Sequence, residues 1–167
     1  MFKLLRRHPH VSVSYLGSRR LKTPADFQGR TILPFNLKEA ATACELLFLA
    51  LPHGEAMKLA PALLKNPDLR IIDFSGDFRI KSAAVFRQAY GITHTAGGWL
   101  AKAVYGLPEI NRSQIHGRLV ANPGCYPTAT LLALAPLARK RLQRGGDRKS
   151  TRLNSSHGTL SRMPSSA

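Results

Sequence analysis

The stretch "ANPGCYPTAT", residues 121 to 130, sets a lone thiol, Cys125, between a glycine and a tyrosine, just ahead of an apolar helix-forming run. Pro127 suits the first turn of a helix, where its missing N–H costs nothing, so Cys125 falls near the N-terminal end, with free backbone donors pointing its way. Those donors and the helix macrodipole favour thiolate over thiol, and the thiolate is the form that attacks. The same donors suit the oxyanion of a tetrahedral adduct. The chemistry implied is nucleophilic capture of an activated carbonyl carbon by sulfur. The competing reading of Cys125 is a buried structural cysteine at a turn. Cys44, in or beside an apolar element, reads as a core thiol.

Other reactive residue types stand just after β-like runs, where an open α/β sheet places its ligands. After "VSVSYLG" comes Ser18-Arg19-Arg20. A dinucleotide fold that selects NAD carries an acidic residue at the end of its second strand, whereas a 2′-phosphate calls for arginine, so this position favours NADP. After "ELLFLAL" comes Pro52-His53-Gly54, and after "IIDF" comes Ser75-Gly76-Asp77. Glycine lets backbone approach a ligand closely, and Ser or His at such a place can hydrogen-bond it. On spacing alone both are also ordinary strand-end turns, and His53 reads as a positioning residue rather than a base.

The elements that must hold these residues alternate between short strands and helical stretches. Residues 1–7 look like the end of a helix closed by Pro9; 11–17 and 31–35 read as strands, and 37–43 as a helix. Residues 45–51 and 69–76 read as strands buried on both faces, with a helix over 55–65 that carries Pro61. Residues 91–106 read as loop, with "HTAGGW" the most flexible part. "RLVANPGC" reads as a short strand entering a turn, and 127–142 as an apolar helix with basic residues in its last turns. The alternation implies an α/β fold with a parallel sheet.

Composition narrows the function classes. With 167 residues and 44% hydrophobic content, the chain suits one globular domain, short for a two-domain enzyme. No apolar run approaches the ~18 residues of a membrane span, and "MFKLLRRHPH" lacks the apolar region of a signal peptide, which points to a cytoplasmic protein without a membrane partner. Two cysteines make no disulfide framework, and scattered histidines make no metal site; His8 and His10, two apart, do not share a helix face. The net charge of +16 raises nucleic acid as a partner. Lysines and arginines come in ones and twos without interleaved aromatics, which favours a small-molecule partner over nucleic acid.

Taken together, "NPGCYPTAT", "LALPHG", "DFSGDFR" and "YGLPEINR" resemble the semialdehyde dehydrogenase family, nearest its arginine-pathway branch, the reductases of N-acetyl-gamma-glutamyl phosphate. The resemblance runs through most of residues 1–146. It implies an NADP-dependent oxidoreductase with a small-molecule acyl phosphate substrate and a homo-oligomeric parent enzyme. Cys125 is then the nucleophile, and Ser18 and Arg19 hold the 2′-phosphate. Leu51, Pro52, His53 and Gly54, with Ser75 and Gly76, line the cofactor cleft. Asn122, Pro123 and Gly124 shape the turn that presents the sulfur, with Asn122 and Pro123 also on the cofactor side. Alternatives are related reductases of aspartyl or carrier-bound aminoadipyl phosphate, a basic nucleic-acid-binding module, or a protein that kept the fold and lost the chemistry.

The chain also departs from the family's pattern. The resemblance implies an incomplete Rossmann-type doubly wound sheet without its first strand and Gly-rich loop, plus the start of a truncated substrate domain. Residues 1–120 are then a partial NADP-binding domain, and 121–146 the nucleophile turn and following helix. Loss of a central strand exposes sheet edges, so the isolated polypeptide is expected to be poorly stable and inactive. Residues 147–167, rich in Ser and Arg and without periodicity, resemble a translated sequencing adapter and read as a disordered, non-native tail.

Overall fold

The computed structural model describes residues 1–143, so the 147–167 tail lies outside the described residues. Its first third carries α1 (Phe2–Leu5), β1 (Gly17–Ser18), β2 (Ala25–Asp26), β3 (Thr31–Pro34) and α2 (Leu37–Thr42). There follow β4 (Leu46–Leu49), α3 (Ala56–Leu63), β5 (Arg70–Asp73), α4 (Ala83–Tyr90), α5 (Gly97–Lys102), β6 (Val104–Tyr105), α6 (Pro108–Asn111), β7 (Leu119–Ala121) and α7 (Cys125–Gln143).

Strands β4, β5, β7 and β6 form an all-parallel sheet in that order, as the alternation of apolar runs and helical stretches requires. Its centre is dry: Ile71 is fully buried and Leu119 is 1% exposed. Helix α3 lays Ala56, Met57, Ala60 and Leu63 into the core, a 3–4 residue spacing that makes one apolar stripe. Pro61 sits inside it and forfeits one backbone bond. Arg118, just before β7, donates to the carbonyls of Leu64 and Leu69 at 2.7 and 3.2 Å and to that of Asn66, which satisfies acceptors at the end of α3. Ser82 caps α4 through Val85 N–H, and Gly91 ends it at φ 72°, a left-handed turn that glycine adopts without strain.

The second sheet is small. β1 pairs β3 in parallel, and β3 pairs β2 antiparallel through a turn in which Gln28 and Gly29 have φ of 56° and 74°. Between this sheet and β4 runs an apolar groove of about 880 Å³, walled by Val11–Gly17 on one side and Cys44–Leu51 on the other. A hydrogen bond from Ser14 Oγ to the Ala43 carbonyl, 2.6 Å, ties the two walls together.

Three expectations change. Of the strand expected over 11–17, only Gly17 enters a ladder, because the groove side offers the rest no partner. For the same reason β4 is not buried on both faces: Leu46 is 43% exposed and only Leu49 is buried. The segment 91–106 is not loop, since α5 and β6 lie within it. Leu100 and Ala103 sink to 2% and 1% exposure, and Lys81 Nζ donates to the carbonyls of Leu100, Ala101 and Ala103 at the end of α5. Tertiary burial and that cap outweigh the poor helix propensity of Gly97-Gly98.

Candidate active site

Parallel register decides which residues meet. Leu49 stands beside Asp73, and Asp73 beside Ala121, so the turns after β4, β5 and β7 emerge together along one edge of the sheet. Those turns are Pro52–Gly54, Phe74–Asp77 and Asn122–Gly124, and they carry most of the residues expected from the sequence.

The first two turns are locked into one frame. Asp77, fully buried, accepts from Gly54 N–H at 2.7 Å and Met57 N–H at 2.9 Å, joining the β5 turn to the start of α3. Its own N–H donates to Ser75 Oγ, and Ser75 Oγ donates to Asp73 Oδ2 at 2.7 Å. Gly76 N–H donates to His53 Nδ1 at 2.8 Å, and the His53 ring leans on Tyr90 with centroids 5.0 Å apart. His53 Nδ1 is thereby engaged inside the frame. A side chain at position 76 would put its Cβ 2.4 Å from Tyr90 Oη and 2.9 Å from His53 Nδ1, so only glycine fits there. Gly54 adopts φ 86°, which a side chain would strain. Burial, opposed by the Ser75 hydrogen bonds, pushes the Asp73 carboxyl above its ordinary value.

The nucleophile turn hangs from the same frame. Asn122 N–H donates to the Asp73 carbonyl at 2.9 Å. Arg79 then staples two turns: Nε donates to the Asn122 carbonyl and Nη2 to the Phe74 carbonyl, both at 2.7 Å. Its Nη1 lies 3.1 Å from where a Cβ on Gly124 would stand, so the guanidinium packs against the peptide just before Cys125. Asn122 Nδ2 donates to the Pro123 carbonyl, 2.9 Å, closing the turn. Cys125 is the first residue of α7 and is exposed. That removes the buried structural reading of this thiol. Cys44, by contrast, is half-buried, and burial pushes its thiol up.

Ser18 and Arg19 belong to the other sheet, yet Arg19 reaches this edge through an ion pair to Glu55 at the mouth of α3. Ser18 Oγ accepts Arg20 N–H at 3.2 Å. Glu55 also takes Lys58 Nζ at 2.8 Å, and the Arg19 and Lys58 cations together hold its carboxyl down at about 2. Among the described residues, no group of three or more His, Cys, Asp or Glu is placed to hold a metal.

Residue types at strand ends pointed to Pro52, His53, Gly54, Ser75, Gly76 and Cys125. They did not point to Arg79, Tyr90 or Glu55. A charge inside "DFSGDFR" was a signal for Arg79 and Asp77; nothing local marked Tyr90 or Glu55.

A family model described as "Semialdehyde dehydrogenase, NAD binding domain" matches residues 1–118, which include β1, the turns after β4 and β5, and Arg79. N-acetyl-gamma-glutamyl-phosphate reductase of Desulforudis audaxviator is 42% identical over 155 residues, covering 85% of this chain and 44% of that protein. The Neisseria gonorrhoeae protein of the same name is 43% identical over 155 residues, covering 87% of this chain and 44% of its own. The chain thus spans less than half the length of the curated relatives it matches. In fold, it is similar to aspartate semialdehyde dehydrogenase II of Vibrio cholerae in complex with ASA, with TM-score 0.57 and 21% identity over 83% of this chain and 41% of that one. The parallel sheet, the turns gathered at its carboxyl edge and the match over 1–118 lead to one assignment: the chain belongs to the semialdehyde dehydrogenase family and carries its NAD-binding domain.

Proposed function

We propose that this chain is the cofactor-binding and nucleophile portion of an NADP-dependent reductase that converts N-acetyl-gamma-glutamyl phosphate to the corresponding semialdehyde. In this reading residues 1–120 bind the cofactor, and 121 onward begin the catalytic part. The observation that carries it is the exposed Cys125 at the start of a 19-residue helix, on the same sheet edge as Gly54 and Gly76. The names of the curated relatives support the substrate.

The residues present fit one end of a phosphorylated dinucleotide. Pro52 and His53 are exposed on the turn after β4, and Arg19, just past the end of β1, offers a half-exposed guanidinium. When bound, the nicotinamide supplies hydride. Ser18, through its turn, and Arg19 hold the 2′-phosphate; Leu51–Gly54 and Ser75-Gly76 line the cleft, with Asn122 and Pro123 at its far side.

In the proposed chemistry the Cys125 sulfur attacks the acyl carbon, a C–S bond forms, the C–O bond to phosphate breaks, and inorganic phosphate leaves. Amides at the start of α7 face the developing oxyanion. The Arg79 guanidinium, against Gly124, offsets negative charge brought in by the acyl phosphate. Once the thioester carbon is reduced, the C–S bond breaks, the aldehyde leaves and the Cys125 thiolate is regenerated. A cytoplasmic, homo-oligomeric parent enzyme with neither nucleic-acid nor membrane partner completes the reading; among the described residues no helix is long and apolar enough to cross a membrane.

The test is the half-reaction. Incubated with N-acetyl-gamma-glutamyl phosphate and no reductant, a full-length enzyme that contains this chain should gain one acyl group on Cys125 by peptide mass spectrometry, and its Cys125→Ala variant should gain none. Equal acylation of Cys44, or no adduct at all, would sink the proposal.

A further inference from the structure

The ion pair between Arg19 and Glu55 spans two elements 36 residues apart and lies across the mouth between the end of β1 and the start of α3. Both carboxylate oxygens of Glu55 are engaged, Oε2 by Arg19 and Oε1 by Lys58. The group is 26% exposed, beside an Arg19 at 45%, so a nucleotide reaching this mouth meets both side chains. With its carboxyl held at about 2, Glu55 stays charged at every pH where nucleotides bind.

We propose that Glu55 is a specificity-determining residue that competes with a nucleotide 2′-phosphate for the Arg19 guanidinium, and so limits the preference for NADP over NAD. The inference rests on the reading of Arg19 as a 2′-phosphate ligand. A phosphate arriving at Arg19 meets a guanidinium whose Nη1 already faces a carboxylate, and it is repelled by that same negative charge. It must share the fork or displace Glu55 onto Lys58. A nucleotide with a free 2′-hydroxyl carries no such charge, and a carboxylate at this place is a good hydroxyl acceptor. Glu55 therefore acts against one ligand class and not the other, an instance of discrimination by an unfavourable contact. The pair is solvent-accessible, so the effect is modest and fades as salt screens it.

The experiment uses the 167-residue chain and two probes that differ in one group, adenosine 2′,5′-bisphosphate and AMP, with dissociation constants from isothermal titration at low and high salt. Glu55→Gln should tighten the bisphosphate roughly 3- to 10-fold at low salt and leave AMP unchanged or slightly weaker. In an Arg19→Gln background the gain should vanish, and circular dichroism melts of each variant check that the fold persists. If Glu55→Gln shifts both nucleotides alike, or neither, while Arg19→Gln still weakens the bisphosphate, this inference is wrong and the reading of Arg19 stands. If Arg19→Gln binds the bisphosphate as the unaltered chain does, the reading of Arg19 falls and takes this inference with it. An unaltered chain that binds neither probe at millimolar concentration overturns both.

Discussion

Replacing Asp77 with asparagine changes one oxygen for an amide nitrogen and almost nothing in volume, yet it should unfasten the cofactor side of the site. The carboxylate takes two backbone donors, Gly54 N–H at 2.7 Å and Met57 N–H at 2.9 Å, in a spot with no solvent exposure. Asparagine keeps one acceptor oxygen and turns an NH2 towards the second backbone N–H. One charge-assisted bond, worth about 1.5–3 kcal/mol, is lost, and a buried donor is left unpaired at a further cost of about 1–3 kcal/mol. The two together come to roughly 2.5–6 kcal/mol, a large share of the ~5–15 kcal/mol that holds a domain of ordinary stability. The assay is urea unfolding followed by circular dichroism, with amide exchange at Gly54 and Met57 as the local readout. One of those two amides should lose protection before the core amide of Ile71 does. An Asp77→Asn chain within about 1 kcal/mol of the unaltered protein, with both amides still protected, would refute the argument that this carboxylate ties the β5 turn to α3.

Arg79→Lys should loosen the nucleophile turn, because an ammonium cannot serve the Asn122 and Phe74 carbonyls from one rigid fork; a loss of about 1–2 kcal/mol in urea unfolding is expected, and no loss would contradict the staple. In β4 the carbonyls of Glu45 and Leu49 bond to β5, so by strand alternation the amides of Leu46 and Phe48 face the groove and should exchange fast while those of Leu47 and Leu49 stay protected; uniform protection by hydrogen-exchange NMR would mean the groove is filled. The Asp73 carboxyl lies above its ordinary value of 3.8 in the folded chain because of burial. The folded state therefore binds more protons than the unfolded one between that value and the raised one, and stability should fall as pH rises through this window; Asp73→Asn should flatten that slope in melts taken across it.

The site's outline was legible because strand ends in a parallel sheet are places where short-range signals suffice. "ELLFLAL" and "RIIDF" are apolar runs bounded by polar breaks, and the rule that ligands gather beyond such strands picked out His53, Gly54, Ser75, Gly76 and Cys125 without any contact being known. α5 was not legible. Its Gly97-Gly98 start has the local preference of a loop, and only the burial of Leu100 and Ala103 under neighbours distant in sequence makes it a helix.

By itself, then, the order of residues determined the fold class, the sheet's direction and the residue types waiting at its edge, since hydrophobic period and turn chemistry act within a few positions. Tertiary structure alone decided who holds whom. The Arg79 guanidinium meets the Asn122 carbonyl 43 residues away, the Asp77 carboxylate meets Gly54 N–H across 23, and Arg19 finds Glu55 across 36. It also left β4 and the 11–17 segment facing each other over an apolar groove, although 11–17 read as a strand and 45–51 as one buried on both faces. Hydrogen bonds and ion pairs depend on separations of a few ångströms, and those follow from register and packing.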